Sequence, residues 1–237
     1  YNEGVFTDKG RVSGLTESLR FVVFDDDRNI WASHPYHGVY KIQLGGNNQS
    51  IKKYIIYAEK HGLPSHLYNY VFKIKNRIVV ATENGVYEYD AVKDRFKPFP
   101  LLNNPLKGIS VQYLKEDSKG NVWFVSDKRV GVVDFSRGSN AYRINYLPQL
   151  DGKVVGGFES IYCMDDQNIF IGANKGAYHI NYSKYLKNLT RPAILIGSVK
   201  LIGKQDSLLF GGYFTKDSNI VYRQDEEKRL KLGNEYN

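Results

Sequence analysis

The sequence predicts an all-β chain built largely from propeller blades, and three observations predict it. One motif recurs four times: Arg28-Asn29-Ile30-Trp31 leading to Gly38-Val39-Tyr40, Asn76-Arg77-Ile78-Val79 to Gly85-Val86-Tyr87, Gly120-Asn121-Val122-Trp123 to Gly131-Val132-Val133, and Asn168-Ile169-Phe170 to Gly176-Ala177-Tyr178. Its glycines, Gly38, Gly85, Gly131 and Gly176, stand 47, 46 and 45 residues apart, a spacing that suits propeller repeats. Short apolar runs alternate with turn residues along most of the chain, and no helical pattern longer than one or two turns stands out.

The second repeat divides most cleanly. Leu67 to Lys73 alternates as an innermost strand a, Lys75-Asn76 turns, Ile78 to Ala81 is strand b, and Thr82-Glu83-Asn84-Gly85 is a tight connection. Val86 to Tyr89 is strand c, Asp90 to Asp94 a polar turn, and Arg95 to Phe99 strand d. The first repeat is entered through Gly14-Leu15-Thr16-Glu17-Ser18-Leu19, the third through Lys107-Gly108-Ile109 and the fourth through Gly156-Gly157-Phe158. Asp and Asn fill the other turns before strand b, Asp25 to Asn29, Asp117 to Asn121 and Asp165 to Asn168, where their side chains bond the local backbone. Residues 11–187 thus read as four blades of about 46 residues and four strands each. Residues 1–10 read as the end of a preceding blade, which makes the propeller partial.

After Tyr185 the repeat stops. Leu189-Thr190-Arg191-Pro192 breaks the pattern, Ala193 to Leu201 reads as one apolar strand, and Gly203-Lys204-Gln205-Asp206 turns. Leu208 to Phe214 and Leu230 to Leu232 read as further short strands, so residues 188–237 open a second β domain that is cut short.

A net charge of +8 is spread along the chain among acidic residues, which reads as solubility and gives no patch for nucleic acid. No stretch of about 18 apolar residues offers a membrane span, so direct contact of this segment with a membrane is not expected. Cys163 is the single cysteine; it excludes an internal disulfide and a zinc cluster of cysteines. In the apolar strand Ile161-Tyr162-Cys163-Met164 it reads as a small buried hydrophobe.

Asp117-Ser118-Lys119-Gly120-Asn121-Val122-Trp123 resembles the two-component-regulator propeller repeat in full, and Asp26-Asp27-Arg28-Asn29-Ile30-Trp31 and Asp165-Asp166-Gln167-Asn168-Ile169-Phe170 resemble it in part. The second blade departs, with Val79 in the Trp position. The segment from Arg191-Pro192-Ala193-Ile194 to Leu232 is similar to the start of the triple-tyrosine β-sandwich that follows such propellers. The resemblance implies a partial propeller followed by an incomplete β-sandwich. It also implies the periplasmic or extracellular sensor of a membrane-anchored bacterial regulator, with a kinase or DNA-binding output, that responds to an oligosaccharide as ligand.

In a four-stranded blade the b–c turns and d–a connections share one face, and these loops differ between copies while the motif does not. They bring forward His34, Tyr36 and His37, then Glu83 and Asn84, then Lys128 and Arg129, then Asn174 and Lys175, with His66 on a d–a connection. The starts of strand a align Arg20, Tyr68, Ser110 and Glu159 at the channel mouth. The loop His34-Pro35-Tyr36-His37 suits sugar stacking and hydroxyl hydrogen bonds. Trp31 and Trp123 share a repeat position with Val79 and Phe170, which marks a core slot between blades. No catalytic set, metal site or cofactor motif is expected. A non-catalytic sensor, homodimeric in the full-length protein, is the leading reading. A propeller lyase or glycoside-acting hydrolase is the alternative, tested by His34, His37, His66 and Glu159, and a protein-interaction platform is the third.

Overall fold

The computed structural model describes residues 4, 5, 8, 10–46, 50–138, 141–188, 198–202, 207–211, 214–216 and 219–221. The chain divides into two compact units, Tyr1–Asn188 and Leu189–Asn237. In the first, four repeats fold into four antiparallel meanders in chain order. β1 (Arg20–Phe24), β2 (Ile30–His34), β3 (Gly38–Leu44) and β4 (Ile51–Tyr57) form the first sheet, and β5 (Tyr70–Ile74), β6 (Arg77–Thr82), β7 (Gly85–Asp90) and β8 (Arg95–Pro98) the second. β9 (Tyr113–Glu116), β10 (Val122–Ser126), β11 (Arg129–Asp134) and β12 (Arg143–Tyr146) form the third, and β13 (Ile161–Cys163), β14 (Ile169–Ala173) and β15 (Gly176–Ile180) the fourth. These are the four propeller blades the repeat predicts.

Three details differ from the sequence expectation. A short helix, α1 (Pro100–Leu106), follows β8; the last blade has three strands among the described residues, and a second helix, α2 (Tyr182–Lys187), stands where a strand d was expected. Asn181 caps it by accepting from the Lys184 amide at 2.9 Å, and Tyr182, Tyr185 and Leu186 fall on one helical face against the core between blades 3 and 4. Strand a of the second blade starts at Tyr70 instead of Leu67, because Tyr68 is in the left-handed region at φ 52°. Gly131 is not equivalent to the other three glycines. Gly38, Gly85 and Gly176 pair with the last residues of their b strands, His34, Thr82 and Ala173, but Ser126 pairs with Arg129 and Gly131 lies opposite Phe124. Asp127 and Lys128 form this hairpin turn at φ 48° and 63° without glycine. Gly131 is instead a packing glycine: a Cβ there would sit 2.4 Å from the Phe124 Cζ. Gly131→Ala is expected to cost about 1–3 kcal/mol by overpacking, measured by urea unfolding.

The repeated Asp, Asn and Trp form a staple. Asp117 accepts from the amides of Lys119 and Asn121 at 2.9 Å each, from Asn121 Nδ2 at 3.1 Å and from the Trp123 indole at 3.2 Å. Asp25 repeats this with Asp27, Asn29 and Trp31, the indole donating at 2.8 Å. The stapling residue of the first blade is therefore Asp25, not Asp26, since the carboxylate must lie six residues before the indole. Burial alone would raise the Asp25 carboxyl, but the donors on Trp31 and Asn29 outweigh it and hold the group below its ordinary value. Asp165 makes the turn bonds to Gln167 and Asn168, but Phe170 has no donor to complete the staple. The second blade replaces the whole device by a two-residue turn, Lys75 and Asn76 at φ 51° and 57°.

The core lies between blades. One cluster joins Trp31, Val39 and Tyr57 to Val80 and Phe96, a second joins Val79 and Val86 to Val122 and Phe124, and a third joins Trp123 and Val130 to Ile169 and Ile171. Phe170 is 37% exposed, because no blade covers that face of the fourth sheet among the described residues. Cys163 is half-buried, and burial pushes its thiol up to about 12, as expected of a packing cysteine.

The centre is filled by aromatic rings from the first strands of three blades. Phe21 stands 5.6 Å from Tyr70, 5.2 Å from Phe72 and 5.8 Å from Tyr113. A bulge between Arg20 and Val22, with Phe21 at φ 44°, accompanies this placement.

In the second unit, β16 (Ser198–Leu201) pairs with β17 (Ser207–Gly211) and β18 (Phe214–Lys216) with β19 (Asn219–Val221). The expected turn at 203–206 and the strand at 230–232 lie outside the described residues, as does most of 1–10.

Candidate functional site

The loop face is assembled by hydrogen bonds from the first three b–c hairpins to the connection into the next blade, and from the fourth hairpin to the connection into its own blade. The Tyr68 amide donates to Pro35 O at 3.1 Å, that of Gly85 to Ile109 O at 3.0 Å, and that of Gly152 to Lys128 O at 3.2 Å; the Asn174 amide donates to Lys153 O at 2.9 Å. The candidate loops therefore lie on one side of the fold, and two clusters form there.

The first is built on blade 1. β2 ends on His34, and Pro35-Tyr36-His37 turns into Gly38, which needs a glycine: its φ is +86° and a Cβ would lie 2.2 Å from Tyr57 O. The imidazoles of His34 and His37 stack at 4.1 Å, 5° from parallel. Glu17 Oε2, from the connection into β1, lies 3.3 Å from His34 Nε2 and 4.0 Å from His37 Nδ1. The Tyr36 amide donates to His34 Nδ1 at 3.1 Å. That bond makes Nδ1 the acceptor, so a neutral His34 carries its proton on Nε2, facing Glu17. The ligating atoms of Glu17, His34 and His37 lie within 4.8 Å of one another. A metal ion would need both imidazole lone pairs to converge. Parallel rings direct them side by side, and the His34 Nε2 lone pair is used by its proton. The arrangement suits a carboxylate shared by two imidazoles and does not fit a metal.

The second cluster is the channel mouth. A cavity of about 210 Å³ opens between Tyr70 of β5, Asp127 and Lys128 of the third hairpin, and Gly157 and Glu159 of the entry to blade 4. Glu159 is 7% exposed, and its Oε1 accepts from the Gly157 amide at 2.7 Å. Gln112 is locked at the same wall: its Oε1 accepts from the Asp127 amide at 2.9 Å and its Nε2 donates to Ser110 Oγ at 2.9 Å. The Arg20 guanidinium lies over the Phe21 and Phe158 rings, at 5.1 and 5.7 Å. Burial first, then the charge of Glu159, raises the Tyr70 hydroxyl above its ordinary value; Tyr68 and Glu83 add to this and Arg20 opposes it. Tyr70 is therefore a neutral donor at the mouth.

Lys128 and Glu159 line the mouth cavity, Arg20 lies beside it over Phe158, Tyr68 and Glu83 are charge neighbours of Tyr70, and His34, Tyr36 and His37 form the first cluster. The other candidates make separate contacts. His66 Nδ1 pairs with Glu59 at 2.6 Å, Arg129 packs over Tyr146 at 5.5 Å, and the Asn84 amide donates to Thr82 Oγ1 at 3.0 Å. Asn174 and Lys175 form the turn of the last hairpin. Sequence reasoning did not single out Tyr70, Gln112 or Gly157. Tyr70 and Gln112 carried a signal, as polar groups near the start of an inner strand; Gly157 carried none.

No protein-family model matches the chain, and no curated protein matches it. Among solved structures it is similar to the extracellular domain of the hybrid two-component system BT3049 from B. thetaiotaomicron, at 15% identity and a TM-score of 0.51, over 87% of this chain and 26% of that one. The likeness is one of fold. The extracellular domain of BT4673 from the same organism gives 14% identity and a TM-score of 0.49 over 69% of this chain and 22% of its own. A virginiamycin B lyase from Staphylococcus aureus gives 13% and 0.38, over 72% and 58%. The chain spans about a quarter of the length of the two regulator domains.

Proposed function

We propose that this segment is the ligand-sensing, non-catalytic part of a membrane-associated bacterial signalling or transcription regulator, lying outside the cytoplasm and responding to an oligosaccharide. The observation that carries the reading is the division between repeat and loop. The repeated Asp, Asn and Trp staple the blades, whereas the residues that differ between copies include Lys128 and Glu159, which line a cavity at the mouth together with Tyr70. The fold shared with an extracellular domain of a two-component system supports the same reading. A ligand at the mouth would touch blades 2 to 4 together and bias the unit that follows, and through it a homodimeric output.

A second reading, a propeller lyase or glycoside-acting hydrolase, is favoured by one observation, the Glu17 carboxylate set 3.3 Å from His34 Nε2 and 4.0 Å from His37 Nδ1, since general acid–base chemistry uses imidazoles beside a carboxylate. A thermal-shift panel of oligosaccharides, followed by product analysis, tests both. The expected result is stabilisation by one member with no product formed. Product formation that His34→Ala abolishes would establish the enzyme instead, and no stabilisation by any sugar would favour a protein-interaction platform.

A further inference from the structure

The mouth cavity is lined by a carboxylate, Glu159, that has no ion pair among the described residues. Glu159 is 7% exposed, yet its one hydrogen bond among the described residues is the Gly157 amide at 2.7 Å. No Lys, Arg or His nitrogen of the described residues forms an ion pair with it within 4.0 Å. Lys128 is exposed at the rim, and Arg20 is spread over two aromatic rings. The other carboxylate oxygen of Glu159 is not among the buried polar atoms of the described residues that lack a partner, so it is open to the cavity that Glu159 lines and can be reached by a ligand.

The neighbouring groups narrow the ligand's chemistry. Gln112 cannot turn to serve it, since both ends of its amide are bonded. Tyr70 also lines the cavity, and an aromatic side chain beside a carboxylate favours a cation over a neutral donor. The cavity, about 210 Å³, suits one small ring. Resting on the sensor reading above, we propose that the mouth takes an ammonium-bearing ligand, of the size and polarity of an amino sugar, with Glu159 as its anionic partner and Tyr70 as its aromatic wall.

Calorimetric titration with glucosamine, glucose and N-acetylglucosamine tests this, on the wild-type chain and on Glu159→Gln. The glutamine keeps the oxygen that accepts from Gly157, so the turn is retained, and an unchanged melting temperature checks it. Wild type is expected to bind glucosamine at least about tenfold more tightly than the two uncharged sugars, and Glu159→Gln to lose that preference. Equal affinities for the three sugars, a preference that survives Glu159→Gln, or no binding of glucosamine would each overturn the proposal. If a neutral oligosaccharide from the thermal-shift panel binds where glucosamine does not, the sensor reading stands and this inference alone fails.

Discussion

Trp123→Ala is expected to cost about 3–5 kcal/mol, the range for removing a fully buried large aromatic side chain, whereas Phe170→Ala at the same repeat position is expected to cost less than about 1 kcal/mol. The difference follows from what covers the two positions. Trp123 is fully buried, 5.2 Å from Tyr182 and within the cluster that joins blades 3 and 4. Trp31 is equally buried, against Tyr57 of its own blade and Tyr89 and Phe96 of the next, at 5.3, 4.6 and 5.9 Å. Each indole is thus a wedge between one blade and its successor. Phe170 faces outward with His179 stacked beside it at 5.0 Å, so its removal opens no cavity. Urea unfolding followed by circular dichroism reads both variants, and the loss at Trp123 should lower the melting temperature by on the order of 10 °C. Equal costs at the two sites would mean that the outer face of the last blade is covered in solution.

Most of the scaffold was legible in the sequence because its determinants are local. A two-residue turn such as Lys75-Asn76, a hairpin ended by Gly85 and an Asp-to-Trp staple each act within a few residues, so each leaves a pattern at fixed spacing. The misread positions are those where a distant atom decides. Gly131 looks like the hairpin glycine of its copy, but its role is to admit the Phe124 ring, which spacing along the chain does not reveal. α2 replaces a strand because Tyr182 reaches back to blade 3, where its hydroxyl donates to Asp134 at 3.0 Å and accepts from Asn145 at 2.7 Å. The site shows the same limit. Arg20, Tyr68 and Glu159 were placed at the mouth by counting along the repeat, but the cavity wall formed by Tyr70 and Gln112 depends on how inner strands of different blades meet. Glu17 joins the two histidines only because its connection folds over the first hairpin.

The staple offers a test of whether the repeated carboxylate is structural. Asp117→Ala removes the acceptor of four hydrogen bonds, one of them to the indole of a fully buried tryptophan. Charge-assisted bonds and a stranded buried donor together predict a loss of about 2–3 kcal/mol. Asp165→Ala removes turn bonds only, on an exposed loop with no indole to strand, and should cost about 1 kcal/mol or less. Asp25 adds a pH signature. Its folded-state carboxyl is held below the ordinary value, against burial, by the donors on Trp31 and Asn29. A depressed carboxyl contributes stability that is fully present above the unfolded value, about 3.9, and is lost as pH falls through the folded one. The gap in unfolding free energy between wild type and Asp25→Asn should therefore be constant between about pH 5 and 7 and narrow below about pH 4. Urea unfolding at a series of pH values measures it. A gap that does not change with pH would mean that Asp25 is not held as a carboxylate by the turn, and an unperturbed stability in Asp117→Ala would remove the staple as the reason for the repeat.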